Sequence, residues 1–195
     1  MKNFLKIAEG IDVLPLLLAL QRQPELWDRH PARKIAPDSP HAQMSDIWVR
    51  YNDDSPYEAS GDYSRFNDAH FPVWYESYYA LPELRPLIFG TMARVEGEHL
   101  GGVLITRIPP GGRIEPHRDD NWHVQFYSKF YLSLESAPGA NFYCGDEVIA
   151  PRPGDCYYFD NREEHGVENN SNENRTTLII CVRTHWFEAR HADKK

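Results

Sequence analysis

The sequence predicts a mainly β chain, a C-terminal jelly roll supported by an N-terminal part that contains helices. From residue 103 onward the chain breaks into short β-prone runs with no helical pattern between them. Turns rich in Pro, Gly and Asp separate those runs. Aromatic residues make up 13% of the chain, which suits a strand-rich, packed interior. At 195 residues, with no repeat or clean linker, a single domain (1–195) is expected. Within it, 1–100 reads as a helical and mixed supporting segment and 101–187 as the β core.

Taken in order, IDVLPLLLALQR (11–22) predicts a short helix with Asp12 as N-cap and Pro15 in its first turn. Residues 28–45, with Pro31, Pro37, Pro40 and His41, read as irregular chain. DIWVRYN (46–52) reads as a strand, followed by polar, turn-rich chain through Gly61. Leu84, Leu87, Ile88, Met92 and Val95 recur at helical intervals after Pro82, and Gly97 lies past the end. The β-like runs are then VLITRI (103–108), VQFYSKFYLSLE (124–135), NFYC (141–144), EVIA (147–150), CYYFD (156–160), HGVEN (165–169) and RTTLIICVRTHWF (175–187). The extended chain from Ile105 to Ile114, carried through a Pro-Gly turn, is expected to deliver His117 at the start of the next extended piece.

Composition excludes several function classes. The 21 Lys+Arg against 29 Asp+Glu give a net charge of −8, which argues against a general phosphate-backbone binder, so no nucleic-acid partner is expected. No segment approaches the ~20 apolar residues that span a bilayer, so no membrane partner is expected. The longest early apolar run, Leu14 to Leu20, contains Pro15, follows acidic Glu9 and Asp12, and lacks a small-residue cleavage pattern. Cys144, Cys156 and Cys181 are odd in number and lack CxxC spacing, as expected for reduced, buried thiols in a cytoplasmic protein.

His117-Arg118-Asp119 is an HxD pair whose side chains project from one side of an extended backbone. Such a pair supplies two of the three facial ligands of a non-haem iron, the third being a His from elsewhere. A second HxD, His191-Ala192-Asp193, lies in a polar tail with no strand after it and reads as coincidence. His165 follows His117 by 48 residues, enough chain for several strands to bring it back. Arg175 lies ten residues further on and opens the most β-prone run, where Arg175, Thr177, Ile179 and Cys181 share a face. A guanidinium at one end of that face can grip a carboxylate bidentately, with Thr hydroxyls assisting.

These residues carry a resemblance. GGVLITRIPPGGRIEPHRD, KFYLSLES and RPGDCYYFDNREEHGVENNSNENRTTLIICVR, with the helical stretch FPVWY…LPELRPLIFG before them, resemble the aspartyl/asparaginyl β-hydroxylase family of Fe(II)- and 2-oxoglutarate-dependent dioxygenases. The likeness covers roughly residues 70–187 and leaves 1–69 poorly covered. It implies a double-stranded β-helix, with Fe(II), 2-oxoglutarate and O2 as cofactor and cosubstrates. Position by position, it implies that His117 and His165 bind iron and that Arg175 pairs with the distal carboxylate of 2-oxoglutarate. Thr106, eleven residues before His117, matches a hydroxyl position that shares that carboxylate. Tyr131 stands where the family often has a His near the cosubstrate's other end, and Lys129 where it often has an Arg. The animal hydroxylase that names the family holds iron with two His alone, whereas Asp119 here completes a three-ligand triad. Asp120 is expected to point the other way.

Other residues have blander readings. His123 reads as a substrate-pocket or surface His, Trp122 as packing or a lid, and Trp74, Tyr75, Tyr78 and Tyr79 as core. Arg29, Arg33 and Lys34, with His30 and His41, either greet an acidic substrate or form a solvated loop. The resemblance implies hydroxylation of an amino-acid side chain in a peptide or small molecule. The alternatives are the same chemistry on a nucleobase or small acid, or a non-catalytic jelly-roll binding module. The sequence leaves the oligomeric state open.

Overall fold

The computed structural model describes residues 3–35, 39–58, 60–120 and 122–185. Eleven strands occur among them: β1 (Phe4–Ala8), β2 (Ser45–Asn52), β3 (Pro72–Trp74), β4 (His99–Ile108), β5 (Arg113–His117), β6 (Ser128–Glu135), β7 (Ala140–Cys144), β8 (Glu147–Ile149), β9 (Cys156–Phe159), β10 (His165–Asn169) and β11 (Arg175–Arg183). They form a seven-stranded sheet in the order β1-β9-β6-β11-β4-β2-β3 and a four-stranded sheet in the order β5-β10-β7-β8. Every strand pairing is antiparallel. The expected double-stranded β-helix is the observed architecture.

Alternation along β11 explains the layering. Leu178, Ile180 and Val182 face helices α1 (Leu14–Arg22) and α5 (Leu84–Arg94), packing with Leu16, Leu20, Leu84 and Ile88. Arg175, Thr177, Ile179 and Cys181 face the opposite side, toward the smaller sheet. There Tyr131, Phe142, Phe159 and Val167 fill the space between sheets. A third cluster gathers Trp48, Phe66, Tyr75 and Leu104. Short helices α2 (Ala32–Ile35), α3 (Ser55–Glu58), α4 (Glu76–Ala80) and α6 (Trp122–Phe126) complete the set.

Several sequence expectations shift. Helix α1 begins at Leu14 rather than residue 11, with Val13 as N-cap; Asp12 instead accepts the Leu14 N–H at 3.2 Å. The Ile11 N–H is drawn out of a helical path by the Gly154 carbonyl at 3.1 Å. Residues 28–45 contain the single turn α2, and the polar stretch after β2 contains α3. The segment 1–100 supplies three strands of the larger sheet, of which β1 and β3 carry no clear sequence signal. Residues 124–135 are not one strand: α6 closes a turn in which the Tyr127 N–H reaches the His123 carbonyl at 2.9 Å, and β6 starts at Ser128. The extended chain breaks after Ile108 at a turn containing Gly111 (φ 74°), so His117 ends β5 instead of opening a new piece. Strand β11 stops at Arg183; Trp186 and Phe187, like His191-Ala192-Asp193, lie outside the described residues. Of the aromatic group expected in the core, Tyr75 is buried and Trp74 stacks on Tyr78, but Tyr79 is exposed. No helix among the described residues is long and apolar enough to cross a membrane.

Two glycines give opposite expectations. Gly154 has φ +85°, and a Cβ there would lie 2.6 Å from the Ile11 carbonyl oxygen, so Gly154→Ala should destabilise by about 2–3 kcal/mol. Gly90 lies exposed in α5 with open space where a methyl group would project, so Gly90→Ala should stabilise by about 0.5–1 kcal/mol. Urea unfolding of both variants checks the signs.

Candidate metal centre and carboxylate clamp

Register places the two imidazoles side by side. In the β5–β10 pair His165 lies opposite His117, and the ring centroids are 4.3 Å apart. The His117 Nδ1 lies 2.8 Å from the Glu115 carbonyl, and the His165 Nδ1 lies 3.0 Å from the Glu163 carbonyl. A carbonyl can only accept, so each Nδ1 carries the proton and each Nε2 keeps a lone pair for a metal. Asp119, two residues past the end of β5, brings Oδ1 to 3.9 Å from the His117 Nε2. Candidate ligand atoms of His117, Asp119 and His165 all lie within 4.8 Å of one another. Two imidazole nitrogens and one carboxylate suit a non-haem Fe(II) and leave open positions. His165 is buried in β10 rather than solvated in a loop, while Asp120 is exposed.

The surroundings fix the charge states. Burial pushes the His165 imidazole down to about 4, against an ordinary 6.5. Burial alone would raise Asp119. The Lys129 ammonium, and hydrogen bonds from Lys129 and Asn161, outweigh it and hold the carboxyl well below its usual range. Lys129 donates to the Asp119 Oδ2, and the Asn161 Nδ2 donates to that oxygen at 2.7 Å. Burial disfavours the Lys129 ammonium, yet Asp119 more than compensates and raises its pKa.

Arg175 presents an unusual buried charge. It is 2% exposed, its guanidinium lies 5.0 Å over the Tyr131 ring and 5.7 Å over Phe142, and neither Nε nor Nη2 has a hydrogen-bond partner. Burial drives its pKa down to about 9. Native proteins rarely leave such donors unpaired, so this position suits an anionic ligand that completes them. Arg175 pairs across β4–β11 with Ile108, and Thr177 with Thr106, so Arg175, Thr106 and Thr177 share one face. The Thr177 hydroxyl donates to the Tyr131 Oη at 2.8 Å. From Arg175, contact runs through Phe142 and Phe159 to His165, at ring separations of 4.8 and 5.2 Å.

The sequence-predicted residues therefore gather in two groups: His117, Asp119, His165 and Lys129 at one corner, and Arg175, Thr106, Thr177 and Tyr131 further along the same inter-sheet space. A cavity of 340 Å³ opens beside Asp119 and Lys129, with Arg33, His41, His123 and Trp122 among its walls. Arg33 pairs with Asp46 at 3.0 Å, and His41 packs edge-on against His117 at 5.1 Å. Arg29, Lys34 and His30 are instead tied to Glu76, Asp28 and Asp54. All three cysteines are free and buried. Asn161 is a site residue that sequence reasoning misses, because a polar residue in a turn carries no pattern that marks it as a partner of Asp119.

A pH dependence follows from the imidazoles. Burial lowers His70 and His165 to about 4, His123 to about 3 and His41 well below the ordinary value, while unfolded His titrates near 6.5. The unfolded state thus takes up protons first, and native stability should fall as pH drops from 6.5 toward 4. Thermal melts of the apoprotein across that range should show proton uptake on unfolding, approaching four per molecule; a flat profile would contradict these environments.

Comparisons with known proteins agree with the geometry. No curated protein matches the chain by sequence. An oxidoreductase of the 2OG-Fe(II) oxygenase family from Burkholderia pseudomallei is similar in fold, with TM-score 0.54 and 16% identity over 85% of this chain and 78% of that one. The viral collagen prolyl hydroxylase of Paramecium bursaria Chlorella virus 1, solved with 2-oxoglutarate, gives TM-score 0.52 and 12% identity over 94% and 96%. The family model for aspartyl/asparaginyl beta-hydroxylase matches residues 62–184, which include both candidate ligand histidines, Asp119 and Arg175. The chain belongs to the aspartyl/asparaginyl β-hydroxylase family, and it is an Fe(II)- and 2-oxoglutarate-dependent dioxygenase.

Proposed function

We propose that this enzyme hydroxylates a C–H bond of an amino-acid side chain, in a peptide or a small molecule, with His117, Asp119 and His165 as iron ligands and Arg175 as the anchor of 2-oxoglutarate. The observation that carries the assignment is the buried Arg175 guanidinium, whose two unpaired nitrogens lie on the larger sheet, across the inter-sheet space from the smaller sheet that carries His117 and His165. The family description supports the substrate class, and the 340 Å³ cavity is of a size for one side chain with its flanking groups. Strands from both halves of the chain share one sheet, which supports reading 1–195 as a single domain.

In this reading the Nε2 atoms of His117 and His165 and the carboxylate of Asp119 would hold the ion. Arg175, with Nε and Nη2 unpaired, would pair with the distal carboxylate of 2-oxoglutarate, and the Thr106 and Thr177 hydroxyls lie on the same face to assist. The Tyr131 ring lies 5.0 Å from the Arg175 guanidinium, and its hydroxyl accepts from Thr177, so Tyr131 orients Thr177 beside the clamp. Bound iron, with 2-oxoglutarate and O2, supplies the oxidising power for C–H hydroxylation. The protein orients the substrate: His41 offers a buried Nδ1, and His70 a buried Nε2, that lack hydrogen-bond partners and line the cavity. Trp122, tied by its indole N–H to the Asn67 carbonyl at 3.2 Å, borders the same cavity and limits water entry.

Arg175→Met separates ligand binding from stability. Two charge-assisted hydrogen bonds at ~1.5–3 kcal/mol each are lost, so 2-oxoglutarate affinity should fall ~100-fold or more, measured by calorimetry in the presence of Mn(II). The apoprotein should melt about 2–5 °C higher, because a buried, underpaired charge has been removed. Unchanged 2-oxoglutarate affinity would remove Arg175 from the site.

A further inference from the structure

The carboxylate of Asp119 has two oxygens, and its neighbours treat them differently. Oδ2 receives the Asn161 Nδ2 at 2.7 Å and the Lys129 ammonium, while Oδ1 faces the His117 Nε2 at 3.9 Å. Asn161 also accepts the Asp119 N–H through its own carbonyl at 3.1 Å, so main chain and side chain clasp the same residue. Asn161 is 4% exposed, and the turn that carries it is itself fixed. The Asp160 N–H donates to the Asn3 carbonyl at 2.9 Å, the Cys144 thiol donates to the Asp160 carbonyl at 3.3 Å, and the Asp160 carboxylate accepts from the Arg162 guanidinium at 2.6 and 2.8 Å. Two residues beyond Asn161, the Glu163 carbonyl sets the proton on the His165 Nδ1. One turn between β9 and β10 thus orients two of the three candidate ligands.

We propose that Asn161 is a positioning residue for the metal centre, which occupies Oδ2 together with Lys129 and so makes Asp119 a one-oxygen ligand through Oδ1. The proposal rests on reading His117, Asp119 and His165 as the iron ligands. Its chemical consequence is coordination economy: three protein atoms leave three positions of an octahedral ion open, whereas a two-oxygen Asp119 would take one of them. Without the Asn161 donor the carboxylate loses one of its two fixing partners and can rotate about its Cβ–Cγ bond. Partners of this kind typically change metal affinity by ~10–100-fold when removed.

The test is Mn(II) binding followed by electron paramagnetic resonance, on the parent, Asn161→Leu and Asn161→Ser. Leu keeps the approximate shape and lacks the donor; Ser keeps a shorter donor. The Mn(II) dissociation constant should rise ~10–100-fold for Asn161→Leu and by a smaller factor, still above ~3-fold, for Asn161→Ser. The visible spectrum of the Co(II)-loaded Asn161→Leu protein should also change in intensity, because the coordination number shifts. A role confined to bracing the turn would lower the melting temperature and leave both metal readouts unmoved. A Mn(II) constant within twofold of the parent in folded Asn161→Leu would overturn the proposal; should that variant not fold, the same result in Asn161→Ser would do so. A parent protein that binds no Mn(II) overturns the ligand assignment itself, and this inference falls with it.

Discussion

The antiparallel register between β5 and β10 is the constraint on which the site depends. Opposing His165 to His117 brings two imidazoles together from chain positions 48 residues apart. A slip of one residue would turn one ring to the other face of the sheet and leave no pair to share an ion. The register shifts at an irregularity between His165 and Val167, beside the candidate ligand itself, where the backbone aims the side chain. Gly166 accompanies that irregularity: a Cβ there would lie 3.0 Å from the Ile114 carbonyl, so a bare backbone lets β10 approach β5 closely. The carbonyls of Glu115 and Glu163, each two residues before its histidine, then select the same tautomer in both rings.

Around that pair the protein keeps buried polar groups that a purely structural jelly roll would have replaced with apolar ones. Lys129 and Asp119 form a charge pair at the cavity edge. Arg175 is harder to account for by folding alone, because the aromatic rings of Tyr131 and Phe142 offset only part of its lost hydration. The cost is tolerated because the rest of the larger sheet is strongly held: its outer face packs Leu178, Ile180 and Val182 against two helices with almost no exposure. The stability of one face of β11 thus permits the polar, ligand-facing chemistry of the other.

How much of this is legible in the sequence depends on which interactions are local. The strand HGVEN and the helix after Pro82 can be read nearly to their ends, because hydrophobic periodicity and turn residues act over a few positions. HxD spacing, His165 and Arg175 stand out because they sit inside patterned, motif-bearing chain. The run 124–135 misleads because its alternation fits a strand, while the hydrogen bond from Tyr127 to His123 closes a helical turn at its start. Strands β1 and β3 escape notice since they are short and are defined by the partners they pair with, β9 and β2. Lys129 reads from the sequence as a contact for the cosubstrate, and the tertiary fold brings it to Asp119. Asn161 and the orphaned nitrogens of His41 and His70 depend on long-range placement, which no single-sequence pattern records.

In the proposed function, the space between the sheets takes up Fe(II) at His117, Asp119 and His165 and 2-oxoglutarate at Arg175. Anaerobic titration of the purified apoprotein with Fe(II) and then 2-oxoglutarate tests it directly, by absorption spectroscopy. The expected result is a visible metal-to-ligand charge-transfer band that requires both additions and saturates at one equivalent of each. Iron binding with no band on adding 2-oxoglutarate would contradict it, and would leave a jelly roll that holds a metal without the cosubstrate chemistry.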